Sequence, residues 1–211
     1  MSVSEFLSSK VVTSHSAFKT LFVVGIITII LTIIALPLGL IGLAAMLYLY
    51  FICRPLLPVL IQDEAQIVAP AEGFISSITT SERGTHIRIQ QRWDSRLHVA
   101  MPVAGRIEQN LYIDGAYLPE TDTSAIAINA RRELLIETDG GASVELVIWA
   151  TPLGRLQFSD MLEGQIEEQG APCGLSILAG TIEMIVPSSW IIDMSKGAFC
   201  IAGQTVIGHR R

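Results

Sequence analysis

From Leu21 to Cys53 the chain runs through 33 residues, LFVVGIITIILTIIALPLGLIGLAAMLYLYFIC, without a Lys, Arg, Asp, Glu or His. One straight helix of that length would measure about 50 Å, far more than a hydrocarbon core of about 30 Å. Pro37, with Gly39 and Gly42, sits near the middle. Proline cannot donate a helical hydrogen bond and disfavours helix at the residue before it. The pattern therefore predicts two helices, 21–36 and 38–53, folded as a transmembrane or re-entrant hairpin. A single kinked, tilted helix is the alternative. The run is too long for the apolar core of a signal peptide, and it has no polar face to suit a buried core helix.

Beyond Arg54 the texture changes to short β-rich runs: QIVAP, GFISSIT, HIRIQQR, GRIEQNLYI, AIAIN, LLIETD, SVELVIWA, GLSILAG, TIEMIVP and TVIGH. Spacings of about 8–12 residues, broken by Gly and Pro, predict a mostly β fold in one compact domain. Gly140-Gly141 reads as a hairpin turn. Two stretches look alike, APAEGFISSI (69–78) and MPVAGRIEQN (101–110), each with proline, two residues, glycine and a strand. The tail AGQTVIGH (202–209) is similar to the last strand and turn of barrel-sandwich domains such as lipoyl carriers, so barrel-sandwich-like elements are expected. The SKG context of Lys196 lacks the turn partners of a carrier lysine. The expected organisation is an N-terminal segment 1–20, a membrane hairpin 21–53 and a β domain 54–211.

Charge adds direction. Half of the residues are apolar and 16% charged, and from residue 54 onward 12 Lys and Arg face 19 Asp and Glu. An acidic domain argues against a nucleic-acid partner. Lys10 and Lys19 precede the apolar run and Arg54 follows it, which places both ends on the cytoplasmic side of a cell or organelle inner membrane, with phospholipid as the partner. Cys53, Cys173 and Cys200 are widely spaced and read as reduced, buried small hydrophobes. His15, His86, His98 and His209 are scattered without ligand spacing, so no metal is expected. A Gly-rich phosphate loop and a GxSxG elbow are both missing. Taken alone, the residues lead to a membrane-tethered acidic β domain and stop there.

The order of the short segments goes further. YLYFICRPLLPVL stands where phosphatidylserine decarboxylases carry an aromatic run and Arg-Asp-Pro, and VAPAEGFISSI resembles their Ser-Pro-Ala-Asp-Gly element. RLHVAMPVAGRIEQNLYIDGAYLPE is similar to their His-Val stretch and proline-glycine turn. INARRELLIET resembles the Asn-Glu-Arg-Asn element, and GQIEEQGAPCGLSILAGTIEMIVP the stretch that ends in Gly-Ser, a strand and a closing proline. The chain as a whole resembles the short bacterial and archaeal form of that family.

The resemblance implies a precursor that cuts itself at Gly-Ser, driven by an Asp-His-Ser triad, and leaves a pyruvoyl group as electron sink for decarboxylation. Carried over by position, His98 is the histidine and Glu72 replaces the aspartate, one methylene longer. Counting back from Pro187, the scissile pair falls on Ala179 and Gly180, and glycine has no oxygen to attack with. Thr181 could serve if the register slipped by one, leaving a 2-oxobutanoyl group instead; Ser188 and Ser189 read as turn residues. The expectation is a family member of phosphatidylethanolamine metabolism that is not self-processed and lacks the pyruvoyl group, with phosphatidylserine, a second copy or an active paralogue as partner. The alternatives are an active decarboxylase and a structural subunit of a membrane complex.

Overall fold

The computed structural model describes residues 21–34, 36–53, 63, 65–119, 124–150, 152, 161–176 and 180–210. The chain divides into two compact units, Met1–Pro55 and Leu56–Arg211.

In the first unit, residues 21–34 form helix α1 and Leu36–Ile52 form helix α2. They pack antiparallel along small residues. A Cβ on Gly42 would lie 2.7 Å from Thr28 Oγ1, a Cβ on Gly39 would overlap Thr32, and one on Gly25 would touch Met46 Sδ at 3.8 Å. The threonine hydroxyls are satisfied within α1, Thr28 donating to Val24 O (2.8 Å) and Thr32 to Thr28 O (2.7 Å). The outward faces are bare hydrocarbon, with Ile33 81% exposed. Two helices match the expectation, but α2 starts at Leu36, before Pro37. The first turn of a helix tolerates proline because its N–H would lack an intrahelical acceptor anyway. Among the described residues no helix is long and apolar enough to cross a membrane. The 17 residues of α2 reach about 26 Å at 1.5 Å per residue. A transmembrane form of the hairpin therefore finds no support in helix length.

The second unit is mostly β, as its pattern predicts. Its main sheet has eight antiparallel strands and curls into a half-barrel. The order is β12 (Phe199–Cys200), β2 (Gly73–Ser81), β3 (Gly84–Gln90), β10 (Thr181–Val186), β7 (Ser143–Trp149), β6 (Arg131–Glu137), β5 (Gly105–Ile113) and β8 (Ile166–Glu167). A second sheet joins β1 (Gln66–Val68), β13 (Val206–Arg210) and β11 (Trp190–Ile192), and a third pairs β4 (His98–Ala100) with β9 (Pro172–Leu175). All three contribute to one core: Ile67 and Ile207 from the second sheet and Val99 and Cys173 from the third pack with Ile75, Ile87, Leu146 and Ile182 of the first. The alternation along β10 shows how: Ile182, Met184 and Val186 are fully buried in that core, while Thr181, Glu183 and Ile185 take the other face.

The two similar stretches turn out to be a pair. The Val68 N–H donates to Pro102 O (3.0 Å) and the Ala100 N–H to Pro70 O (2.7 Å). Ala69 and Met101 then repeat the same exchange with Gly203 and Gly170: the Gly203 N–H donates to Ala69 O and the Gly170 N–H to Met101 O, both at 2.8 Å. Both glycines have positive φ, 69° and 77°. The duplicated proline-glycine motif thus forms a local two-fold, which joins the second and third sheets.

One run departs from expectation. AIAIN does not form a strand; Ala125–Ile128 is a single helical turn, α3. Its four apolar residues carry no polar alternation, and Asn129 ends the turn by bonding the Leu118 N–H and C=O with its side-chain amide, each at 2.8 Å. Gly140-Gly141 does close the β6–β7 hairpin, with Gly141 at φ 72°. Lys196 occupies an exposed turn. Cys173 and Cys200 are buried free thiols, as expected, while Cys53 is half-buried. Burial pushes the Cys200 thiol up to about 11, which keeps it protonated and inert.

Candidate functional site

Three chain segments converge at the N-terminal end of β10. The first is the turn before β2. Gly73 lies so close to β3 that a Cβ there would overlap Gln90 O and stand 3.1 Å from Gln91 Cα, so only glycine lets the turn approach. That approach carries Glu72 to the second segment, the loop 91–97, where Arg96 Nε lies 3.3 Å from Glu72 Oε2. Both side chains are largely withdrawn from water, so losing either partner would leave the other as a buried, uncompensated charge.

The loop itself is rigidly built. The Ser95 N–H donates to Arg92 O (3.1 Å) and the Arg92 N–H to Ser95 Oγ (3.0 Å). Buried Gln91 donates from Nε2 to Arg96 O at 3.1 Å. His98 follows as the first residue of β4, with only 6% of its surface exposed.

The third segment is the connection from β9 to β10. Its two ends are tied to the same loop: the Ser176 N–H donates to Leu97 O (2.7 Å), and the Gln91 N–H donates to Gly180 O (3.1 Å). His98 faces Leu175 across the β4–β9 ladder, one residue from buried Ser176. Ala179 lies outside the described residues.

Glu72, His98, Gly180 and Thr181, chosen from sequence, thus come from three segments that meet around one loop. Gly180 is buried, with its carbonyl engaged and no side chain to offer. Thr181 opens β10 opposite Gln90, on the face of Glu183 and away from the core-facing Ile182. Arg96, Gln91 and Ser176 were not singled out. Arg96 had a legible signal, an arginine two residues before the chosen histidine. Gln91 and Ser176 had none, because their roles come from backbone bonds between distant segments. Among the described residues no three His, Cys, Asp or Glu side chains gather as a metal site.

Chemically, the segments around loop 91–97 carry a buried imidazole, an arginine-paired carboxylate and a glycine whose carbonyl accepts from the Gln91 N–H.

Comparison with known proteins bears on this directly. Residues 45–208 match the phosphatidylserine decarboxylase family. The phosphatidylserine decarboxylase proenzyme of Nitrobacter winogradskyi is 29% identical over 190 residues, 85% of this chain and 77% of that protein. The proenzyme of Geotalea uraniireducens is 25% identical over 88% of this chain and 91% of its own length. That of Ruegeria pomeroyi is 28% identical over 86% and 87%. No solved structure matches.

Proposed function

This chain belongs to the phosphatidylserine decarboxylase family, and from that membership we propose that it is a member of phospholipid metabolism that does not cut itself. The observation that carries the reading is Gly180. It stands where the segment order puts the family's serine, and it has no oxygen to form an ester with the preceding carbonyl. The residues present do not fit a pyruvoyl group there, so no decarboxylation step is derived through one. What remains is the surrounding scaffold: His98, the Glu72–Arg96 pair and the loop that joins them. A scaffold of this kind can keep a lipid-binding or partner-regulating role after its chemistry is lost.

The hairpin would supply the attachment to a phospholipid membrane. Its outer faces are apolar and its threonine hydroxyls are already bonded within α1, which lipid surroundings require of every polar group. Because the helices are short, we assign them a re-entrant placement that enters from the cytoplasmic side. The basic residues Lys10, Lys19 and Arg54 that flank the run in sequence favour that side, and we assign the β domain to it. Phosphatidylserine in that leaflet, a second copy or a processed paralogue are the partners this placement makes available.

The test is the intact mass of the purified, denatured chain. One species at 22.9 kDa is expected. Two fragments, the smaller running from Thr181 to Arg211 and blocked by a 2-oxoacyl group, would overturn the reading in favour of an active decarboxylase primed by Thr181.

A further inference from the structure

Further along β10, beginning at Glu183, three residues and about 10 Å beyond Gly180 at 3.3 Å per residue, a second set of polar groups is assembled on the outer face. Ser81 ends β2 at the exposed tip of the β2–β3 hairpin, and its Oγ lies 2.8 Å from His86 Nε2. The opposite ring nitrogen, His86 Nδ1, lies 3.2 Å from Glu183 Oε1. Glu183 is only 5% exposed, and Arg88 Nε donates to the same carboxylate oxygen at 3.0 Å.

The strand registers explain the assembly. His86 stands opposite Thr79 on one neighbouring strand and Ile185 on the other. Ser81 lies two residues after Thr79 and Glu183 two residues before Ile185, so both share the face of His86 on its two diagonals, within reach of a long side chain.

Proton bookkeeping gives the chain a direction. A carboxylate only accepts, so His86 Nδ1 carries the proton toward Glu183 and Nε2 is left as acceptor for the Ser81 hydroxyl. The Arg83 N–H donates to Ser81 Oγ at 3.1 Å, occupying one lone pair; of the two acceptors near the hydroxyl, His86 Nε2 at 2.8 Å is closer than Gly84 O at 3.5 Å. A hydroxyl bonded to an imidazole that is bonded in turn to a buried carboxylate is the arrangement that activates a serine nucleophile.

We propose that Ser81, His86 and Glu183 form a nucleophilic site, separate from the Gly180 region, that accepts acyl groups from small activated esters arriving from solvent. Ser81 Oγ bonds to the carbonyl carbon of the ester while its proton passes to His86 Nε2. The bond from that carbon to the leaving oxygen breaks, and the alcohol departs with the proton from Nε2. Water then adds to the acyl-serine, passing a proton to Nε2. The carboxylic acid leaves as that proton returns to Ser81 Oγ. Glu183 is a positioning residue that holds the ring and offsets its transient charge. The reaction is restricted to esters with good leaving groups, which need less oxyanion stabilisation than amides or alkyl esters.

The test uses the full chain with p-nitrophenyl acetate and, separately, a fluorophosphonate probe, each followed by peptide mass spectrometry. Modification of Ser81 is expected, abolished in Ser81→Ala. It should slow about 100-fold in His86→Gln, the scale of general-base catalysis. It should slow less in Glu183→Gln and recover in Glu183→Asp, which a purely structural role of Glu183 would not produce. Thermal melting of each variant identifies any that is unfolded, and Ser81→Ala, on an exposed turn, keeps the comparison readable. Absence of modification at Ser81, or an unchanged rate in folded His86→Gln, would overturn the proposal, whatever the processing state at Gly180.

Discussion

Strand β10 connects two polar regions that differ in how they are held together. At its start, the segments of Glu72, His98 and Gly180 all bond to loop 91–97 or its flanks. Toward its end, Ser81, His86 and Glu183 form an unbroken hydrogen-bonded chain on the outer face of the sheet. The first region is found through family order, and its proposed loss of chemistry rests on Gly180. The second is invisible to family order and stands out only by its hydrogen bonds. Position in a family and arrangement for a reaction are therefore read from different observations.

The largest expected effect comes from restoring the missing atom. Gly180→Ser should convert a chain that stays whole into one that yields two fragments on a denaturing gel, and adding His98→Ala should return it to one. If Gly180→Ser remains whole while folded, the site has lost more than its hydroxyl. Next comes the ion pair that frames the site. Arg96→Ala should lower unfolding free energy in urea by about 2–3 kcal/mol, because it leaves Glu72 largely buried without its cation. Arg88→Ala should cost less, since Glu183 keeps His86. Equal costs would mean that the two carboxylates are held alike.

Gly73→Ala should cost about 2 kcal/mol, the scale of overpacking, because its Cβ would meet backbone of β3. Gly141→Ala has open space and only its positive φ to penalise it, so about 1 kcal/mol is expected. The smallest effect is a pH dependence at the outer cluster. Burial raises the Glu145 carboxyl above its ordinary 4.5, with Arg83 pulling it partly back. The folded state therefore holds that proton more tightly than the unfolded chain. Its contribution to stability is present below the ordinary value and is lost as pH rises through the raised one. Glu145→Gln should then gain in melting temperature relative to the parent between pH 4 and pH 7; a gain that shrinks over that interval would contradict the burial account.

Much of the fold was legible in advance. The break between two apolar helices followed from Pro37, and strands β2, β3, β5, β7 and β10 followed from alternation. What escaped notice was short or non-local. β8 and β12 have two residues each, and β4 and β11 three. Such strands are held by partners far along the chain and leave no periodicity of their own. The likeness of 69–78 to 101–110 was visible, whereas their mutual pairing was not. The choice of His98, Glu72 and Gly180 rested on motif order, and their convergence depends on bonds such as Gln91 N–H to Gly180 O. His86 carries no ligand spacing along the chain because its partners are five residues away on one side and 97 on the other.

The sequence by itself determined the composition of each face. The period of two along β10 decided that Ile182, Met184 and Val186 go inward and Thr181, Glu183 and Ile185 outward, and the residue type at position 180 leaves it without a side-chain hydroxyl. Only the tertiary structure decided which outward groups meet. Strand register brings Glu183 opposite Arg88 and beside His86, and register is set by the combined burial of a whole sheet face and not by any one residue's preference. A side chain's chemistry is local, whereas its neighbours are chosen by the packing of the entire domain.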